Sequence, residues 1–184
     1  MDPIERIENA TTFASGKVKE VTTADLAKPT PCSEFDVRAL LNHMLGGLSM
    51  LTVAAGGEKP PVPEGEQFGS DPAPVYDERR RALIAAVRGE GVLDRQWEMP
   101  FGMMSGAMMA QIAFMEHLAH GWDLAKATGQ DTTLPADLVT ECMEVVTPMD
   151  AMLRTPGVCD PVVSVPDGAS PQDKLVAFLG RSPD

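Results

Sequence analysis

Positive charge is scarce in this sequence. The 184 residues include 15 Lys and Arg against 27 Asp and Glu, which gives a formal net charge of -12. Proteins that bind a phosphate backbone gather Lys and Arg on one surface, and the chain has no basic run. The composition therefore argues against nucleic acid as a partner.

Long apolar runs and paired cysteines are also scarce. No apolar stretch approaches the roughly 20 residues that span a bilayer, and the start MDPIERIENA has neither the basic nor the apolar region of a signal peptide. Cys32, Cys142 and Cys159 are odd in number and lack the CxxC spacing of many zinc sites. We therefore expect a cytoplasmic protein with free thiols and no membrane partner.

Aromatic residues are few, whereas methionine is abundant. One tyrosine and two tryptophans stand against 12 methionines. Methionine fills irregular gaps and favours helix over strand, so this balance predicts a helical interior. The length fits a single domain, residues 1–184, with a sizeable core.

Apolar residues recur at helical spacing in four segments, each of which begins with capping residues. The last of them ends at Gly129, and residues 93–106 between the third and fourth have no clear period. Shorter helices are predicted from Pro135 to the Thr147-Pro148 pair and over residues 170–180. The pattern indicates an all-α fold, a four-helix bundle with additional short C-terminal helices and at most minor β structure. The predicted capping residues are Asp2-Pro3, Ser33 with Asp36, Asp71-Pro72, and Ser105.

The fourth helix carries ionisable residues among apolar neighbours, in the stretch EHLAHGWDLAKATGQ. Glu116 and His120 are four residues apart, so their side chains share one face of the helix. A carboxylate on a core-facing stripe needs a compensating charge. Either His120 supplies that charge in an ion pair, or both residues bind a divalent metal, for which imidazole and carboxylate are suitable ligands.

His43 is the candidate for a third ligand. It borders the apolar stripe of the second helix, and facing helices of a bundle often hold metals between them. Gly46 and Gly47 follow it in a helix interior, which suggests that something needs space there. Two histidines and one carboxylate leave coordination positions open, as in reactive rather than structural metal sites.

The other polar residues of the fourth helix have weaker claims to a role in this site. His117 points roughly 100° away from Glu116 on an α-helix, so it is the weaker ligand candidate, and a solvated position is predicted for it. Asp123 accepts a hydrogen bond from a ligating histidine, acts as a cap, or pairs with Lys126. Trp122 is predicted to lie in the core.

Three segments resemble one protein family: TPCSEFDVRALLNHMLGG (30–47), EHLAHGWDLAKATGQ (116–130) and SPQDKLVAFLGR (170–181). They are similar to the actinobacterial DinB-like proteins related to the metal-binding N-terminal domain of mycothiol-dependent maleylpyruvate isomerase. The resemblance implies a DinB-like up-and-down four-helix bundle. It also implies a divalent metal, most often zinc or nickel, bound by His43, Glu116 and His120, and a homodimer.

The resemblance also implies thiol chemistry. Members of the broader group are expected to be transferases in which an open metal site binds a low-molecular-weight thiol, here mycothiol, and lowers its pKa. In the isomerase a second domain contributes to the active site, and 184 residues leave no space for one, so we expect an activity other than isomerisation of maleylpyruvate. The predicted function is conjugation or isomerisation of a small electrophile by a metal- and mycothiol-dependent enzyme.

Two other classes of function stay open. A metal-dependent hydrolase could use the same site to generate hydroxide, with a carboxylate such as Asp123 as base. A non-catalytic protein that binds a metal or a small ligand would keep the bundle without turnover. The sequence does not identify the catalytic residues of either class.

Overall fold

The computed structural model describes residues 1–184 and is mostly helical. Four long helices form the body of the protein: α1 (Pro3–Lys19), α2 (Val37–Gly56), α3 (Pro72–Val87) and α4 (Gly106–Thr128). Three shorter ones, α5 (Ala136–Val146), α6 (Asp150–Leu153) and α7 (Pro171–Phe178), follow, with a 3₁₀ turn over Thr147–Met149. The predicted all-α fold with short C-terminal helices is confirmed.

Most of the predicted helix ends are confirmed. The carboxylates of Asp2 and Asp71 and the hydroxyl of Ser105 accept backbone N–H groups of the first turns of α1, α3 and α4. Gly129 ends α4 in the left-handed conformation, at a φ of 76° that costs glycine little.

The predicted start of α2 is wrong by three residues. Asp36, not Ser33, caps this helix by accepting the N–H of Ala39. The hydroxyl of Ser33 instead donates to Asp160, far along the chain. Both residues of a Ser-x-x-Asp pattern can cap a helix, and here the contact with Asp160 uses the hydroxyl of Ser33, so that Asp36 is the cap.

The helices do not pack in simple succession. Helix α1 packs against α3 and α4, and α2 packs against the same two helices, so α1 and α2 occupy opposite corners. Their apolar faces meet in one core of 40 buried residues, which includes Trp122 as predicted. This arrangement places α2 beside α4 and thereby brings two distant parts of the chain together.

The segment without a clear period forms a β-hairpin. Strands β1 (Gln96–Met99) and β2 (Gly102–Ser105) pair antiparallel and lead directly into α4. Trp97 anchors the hairpin: its ring is buried, and its Nε1 donates to the carbonyl of Val92. Buried and exposed residues alternate in β1, but over only four residues, and so short an alternating pattern in a sequence does not separate a strand from a loop.

Helix α2 is more apolar than the sequence analysis allowed. Its 20 residues include a window with a mean hydropathy of 1.3, which by length and composition could cross a membrane. Half of that window is buried inside the protein. Contacts in the bundle core therefore account for the apolar character of α2.

Close approach of α1 and α4 depends on a glycine. A Cβ at Gly121 would lie 2.9 Å from the Phe13 ring and 3.2 Å from Cα of Ala14, closer than ordinary van der Waals contact. Gly16, on the exposed side of α1, has no atom within 4 Å of the corresponding position. The two glycines thus differ in packing although both lie in helices.

Alanine substitutions should separate these two glycines. Gly121→Ala should lower the free energy of unfolding by about 1–3 kcal/mol, because α1 must shift to avoid the added methyl group. Gly16→Ala, the matched control, should raise it by roughly 0.5–1 kcal/mol through improved helix propensity. Urea unfolding monitored by circular dichroism measures both. Equal effects of the two substitutions would contradict this account of the interface.

Candidate metal centre

The three predicted ligands meet between α2 and α4. Nε2 of His43 lies 2.9 Å from Oε2 of Glu116, and Nε2 of His120 lies 3.0 Å from the same oxygen. The three candidate ligand atoms all lie within 4.8 Å of one another. A tetrahedral zinc ion would hold such atoms roughly 3.3 Å apart, so only small side-chain movements separate this arrangement from a metal site.

Helix geometry brings Glu116 and His120 together, and the packing of α2 against α4 adds His43. Glu116 and His120 share a face of α4 because they are one turn apart. His43 reaches them from α2, and its ring stacks on Phe35 with ring centroids 5.1 Å apart. Phe35 also lies edge-on to His120, at 6.4 Å. Phe35 therefore limits the orientations of both rings, a role that the sequence analysis did not predict.

His120 has a second buried partner that fixes its orientation. Its Nδ1 lies 2.9 Å from Oδ2 of Asp123, whose side chain is fully buried. With Nδ1 bonded to a carboxylate, Nε2 faces Glu116 and is the nitrogen left for a metal, as is typical of metal-binding histidines. The predicted hydrogen bond between Asp123 and His120 is present, whereas the predicted pair with Lys126 is not, because Lys126 donates to the carbonyl of Pro183.

Arg181 completes this chain of charges. Its Nη2 lies 2.9 Å from Oδ2 of Asp123, and its Nη1 donates to the carbonyl of Leu179 at 2.6 Å. Arg181 follows α7, so the C-terminal segment contributes directly to the site. The sequence analysis quoted the FLGR string but gave its arginine no role, since 58 residues separate Arg181 from Asp123.

Electrostatics in the absence of metal favour a charged pair. Burial lowers the pKa of His120, but Glu116 and Asp123 outweigh it and raise that pKa to about 9. Burial raises the pKa of Glu116, but the charges and hydrogen bonds of His120 and His43 outweigh it and hold the pKa well below its ordinary value. The contact distance and these pKa directions fit the ion pair considered above. A metal would compete with a proton for His120.

His117 is not solvated, and the prediction of an exposed position is wrong. Only 3% of its surface is exposed, and its Nδ1 lies 2.9 Å from the hydroxyl of Tyr76 on α3. Burial lowers the pKa of His117 to about 3, so the ring is neutral at physiological pH. Because α1, α2 and α5 pack against α4 and Tyr76 reaches it from α3, a face turned away from Glu116 is still a buried face.

A mostly apolar cavity of about 630 Å³ opens beside the cluster. Seventeen of its 26 lining residues are hydrophobic, so it is suited to a small organic molecule of low polarity. The two adjacent glycines in the interior of α2 both have a structural reason: Gly47 borders the cavity, and a Cβ at Gly46 would lie 2.7 Å from Cβ of Pro63. Six methionines line the cavity, namely Met44, Met50, Met104, Met109, Met115 and Met152.

Two cysteines of the cavity wall remain in the thiol form. Cys32 and Cys159 are both free and both line the cavity. Burial raises the pKa of Cys32 to about 11 and also raises that of Cys159, although the nearby Arg181 acts in the opposite direction. Neither residue is therefore a ready nucleophile at neutral pH.

Together, the bundle and the site define a helical protein with a His₂Glu cluster at the wall of an apolar cavity. The profile of the mycothiol maleylpyruvate isomerase N-terminal domain family matches residues 7–125, about two thirds of the chain. The chain belongs to this family. The matched range contains His43, Glu116, His120 and Asp123 but not Arg181.

Two relatives from Mycobacterium tuberculosis match over nearly the full length. They are the uncharacterized proteins MT0763 and Rv0738, from different strains, each 29% identical over 188 residues and covering 99% of both chains. No solved structure matches the chain. The comparisons thus give the family and its association with mycothiol and metal binding, but no reaction.

The raised pKa of His120 predicts an unusual pH dependence of stability in the metal-free protein. The unfolded chain binds this proton only below pH 6.5, whereas the folded chain holds it up to about pH 9. The folded state therefore binds more protons in this interval, and its stability should fall as the pH rises from 6.5 to 9. The full loss is on the order of 3 kcal/mol.

Urea unfolding of chelator-treated protein at a series of pH values measures this slope. In His120→Gln the slope between pH 6.5 and 8, below the range in which the cysteines of the unfolded chain ionise, should disappear, whatever the overall loss of stability. His117→Gln, which removes a neutral neighbouring ring, should retain the slope. A native protein whose stability is constant over this interval would refute the electrostatic assignment.

Proposed function

We propose that the protein is a divalent-metal-binding, thiol-dependent enzyme that conjugates or isomerises a small electrophile. The observation that carries the proposal is the convergence of His43, Glu116 and His120 at the wall of an apolar cavity. Family membership supports a metal and mycothiol as the thiol. Zinc and nickel are the metals that we propose.

The donor set fits a catalytic metal. Two imidazole nitrogens and one carboxylate oxygen supply three ligands, and three protein ligands leave a position for a bound molecule. Asp123 supports His120 from behind, and Arg181 neutralises Asp123, so the charge of this carboxylate is balanced before a metal arrives. A divalent metal held there would lower the pKa of a bound thiol, so that it reacts as the thiolate.

Each residue around the cluster then has a defined task. Phe35 keeps the two imidazole rings in place by stacking and edge contacts. The apolar cavity wall holds the electrophile and excludes water from it. Cys32 and Cys159 stay protonated, so the nucleophilic sulfur is expected to come from a separate thiol. This expectation favours a cosubstrate over a covalent protein intermediate.

The hydrolase alternative receives less support from the site. A general base must be free to accept a proton within reach of the reacting water. Asp123, the carboxylate considered for this task, is fully buried and already bonded to His120 and Arg181. Its pKa is lowered, because those two partners outweigh the raising effect of burial. It is therefore a poor base.

We further propose that residues 1–184 form one domain, since every α-helix contributes at least one residue to the same core and even the short α6 contributes Leu153.

We propose a cytoplasmic homodimer on the basis of the family resemblance. Analytical ultracentrifugation is the measurement that decides the oligomeric state.

Metal binding should distinguish the two histidines of α4. His120→Ala removes a ligand and should abolish retention of zinc after dialysis, whereas His117→Ala removes a residue outside the cluster and should retain it. Residues that merely support a ligand already change metal affinity by about 10–100-fold, so loss of a ligand should exceed that range. Plasma emission spectrometry of both variants gives the metal content, and equal loss would overturn the ligand assignment.

Activity should require both metal and thiol. Zinc- or nickel-loaded protein is incubated with mycothiol and 1-chloro-2,4-dinitrobenzene, and the absorbance of the thioether is followed as the S–C bond forms and chloride leaves. The rate should exceed the uncatalysed rate, and it should fall to that rate in His120→Ala.

A matched reaction tests the alternative. Hydrolysis of 4-nitrophenyl acetate without thiol should stay at the background rate. Thiol-independent hydrolysis that depends on His120 would support the hydrolase instead. Absence of any conjugate across a panel of small electrophiles would count against the proposed function.

A further inference from the structure

His117 is a buried polar residue of the cavity wall that the proposed chemistry leaves unused. It lies one position after Glu116, lines the cavity, and is held by a single hydrogen bond to Tyr76. Helix α4 presents it on a different face from the Glu116–His120 pair. Its position therefore calls for an explanation separate from the metal cluster.

The Tyr76 contact determines which nitrogen of His117 carries the proton. Tyr76 is fully buried, and Nδ1 of His117 is the partner of its hydroxyl. If the imidazole donated through Nδ1, the buried O–H would have no acceptor, which is costly. The hydroxyl therefore donates to Nδ1, and in the neutral ring the proton resides on Nε2.

The protonated nitrogen of His117 has no partner within the protein. Two buried side-chain polar atoms lack a hydrogen-bond partner, Nε1 of Trp122 and Oε1 of Gln130, and Nε2 of His117 is not one of them. No protein atom accepts from this nitrogen either, so it reaches the open space that the residue lines. An N–H group thus faces an otherwise mostly apolar volume.

Arg181, His43 and His120, which also line the cavity, direct side-chain nitrogens at other partners in the protein. Arg181 bonds to Asp123 through Nε and Nη2 and to the carbonyl of Leu179 through Nη1. His43 and His120 point their Nε2 atoms at Glu116. Among the buried side-chain nitrogens of the wall, Nε2 of His117 is consequently the one without a partner, and an N–H group there can pair with an acceptor oxygen of a ligand.

We propose that His117 Nε2–H is a recognition site for the carbonyl oxygen of an apolar ligand bound in the cavity, with Tyr76 as the residue that sets its tautomer. The cavity wall binds the hydrocarbon part, and His117 selects ligands that carry an acceptor at one position. The proposal names a substrate class for the proposed function and rests on it for biological meaning. The binding itself requires neither thiol nor turnover.

Nuclear magnetic resonance of the zinc-loaded protein tests the tautomer. The chain has three histidines, so ¹⁵N-histidine labelling gives three rings that single substitutions assign. In the native protein the ring of His117 should be protonated on Nε2 alone. In Tyr76→Phe, which keeps the ring but removes the hydroxyl, both tautomers should become populated. Protonation of His117 on Nδ1 in the native protein would overturn the proposal.

A matched pair of ligands tests the recognition. Acetophenone and ethylbenzene have similar shapes, but only acetophenone carries a carbonyl. Acetophenone should shift the His117 Nε2–H resonance and bind more tightly than ethylbenzene, and His117→Phe should reduce this preference by about threefold to tenfold, the usual value of one hydrogen bond. Ile112→Val, a change of shape elsewhere in the wall, should leave the preference unchanged.

The possible outcomes separate the two proposals. An undiminished preference for acetophenone in His117→Phe, or in His117→Leu if the former does not fold, would overturn the role of His117. The same result would leave the thiol reaction untouched. Conversely, loss of the preference in a protein that forms no thioether would support His117 and count against the proposed reaction.

Discussion

One carboxylate holds the site together. Oε2 of Glu116 lies within 3.0 Å of two imidazole nitrogens that come from different helices, and this single oxygen ties α2 to α4 at their point of contact. A carboxylate is stable on this largely buried face only because positive charge reaches it. A proton on His120 supplies that charge without metal, and a divalent ion would supply it with metal.

The rest of the site follows from balancing that charge. His120 can stay protonated because Asp123 lies behind it, and Asp123 can be fully buried because Arg181 pairs with it. The C-terminal segment is thereby bound to the centre of the bundle. Outside this line of alternating charges the surroundings are apolar, which strengthens each interaction in it and leaves a cavity suited to weakly polar molecules.

The periodicity of the sequence was sufficient to predict the long helices and the shared face of Glu116 and His120 on α4. Glu116 and His120 could be predicted to share a face because their relation is local, one turn of a single helix. His43 was predicted on its position beside an apolar stripe, and its place opposite Glu116 depends on the order of helices around the bundle. That order, with α1 and α2 at opposite corners, results from packing between distant segments and leaves no periodic signal.

The misassigned residues have the same cause. Ser33 has the right spacing for a helix cap, but Asp160 competes for its hydroxyl. His117 was predicted to be solvated because one face of α4 was assumed to be exposed, whereas the residue is buried and Tyr76 of α3 bonds to its ring. Arg181 was overlooked since its partner lies 58 residues away. Tertiary contacts decide all three positions.

The most direct test of the metal centre is a crystal structure of zinc-loaded protein with anomalous diffraction measured at the zinc edge. The predicted result is one strong peak between His43, Glu116 and His120, with ligand distances of about 2.0–2.2 Å and a coordination position that faces the cavity. A cluster without a peak, with His120 still bonded to Glu116 as in an ion pair, would contradict the assignment.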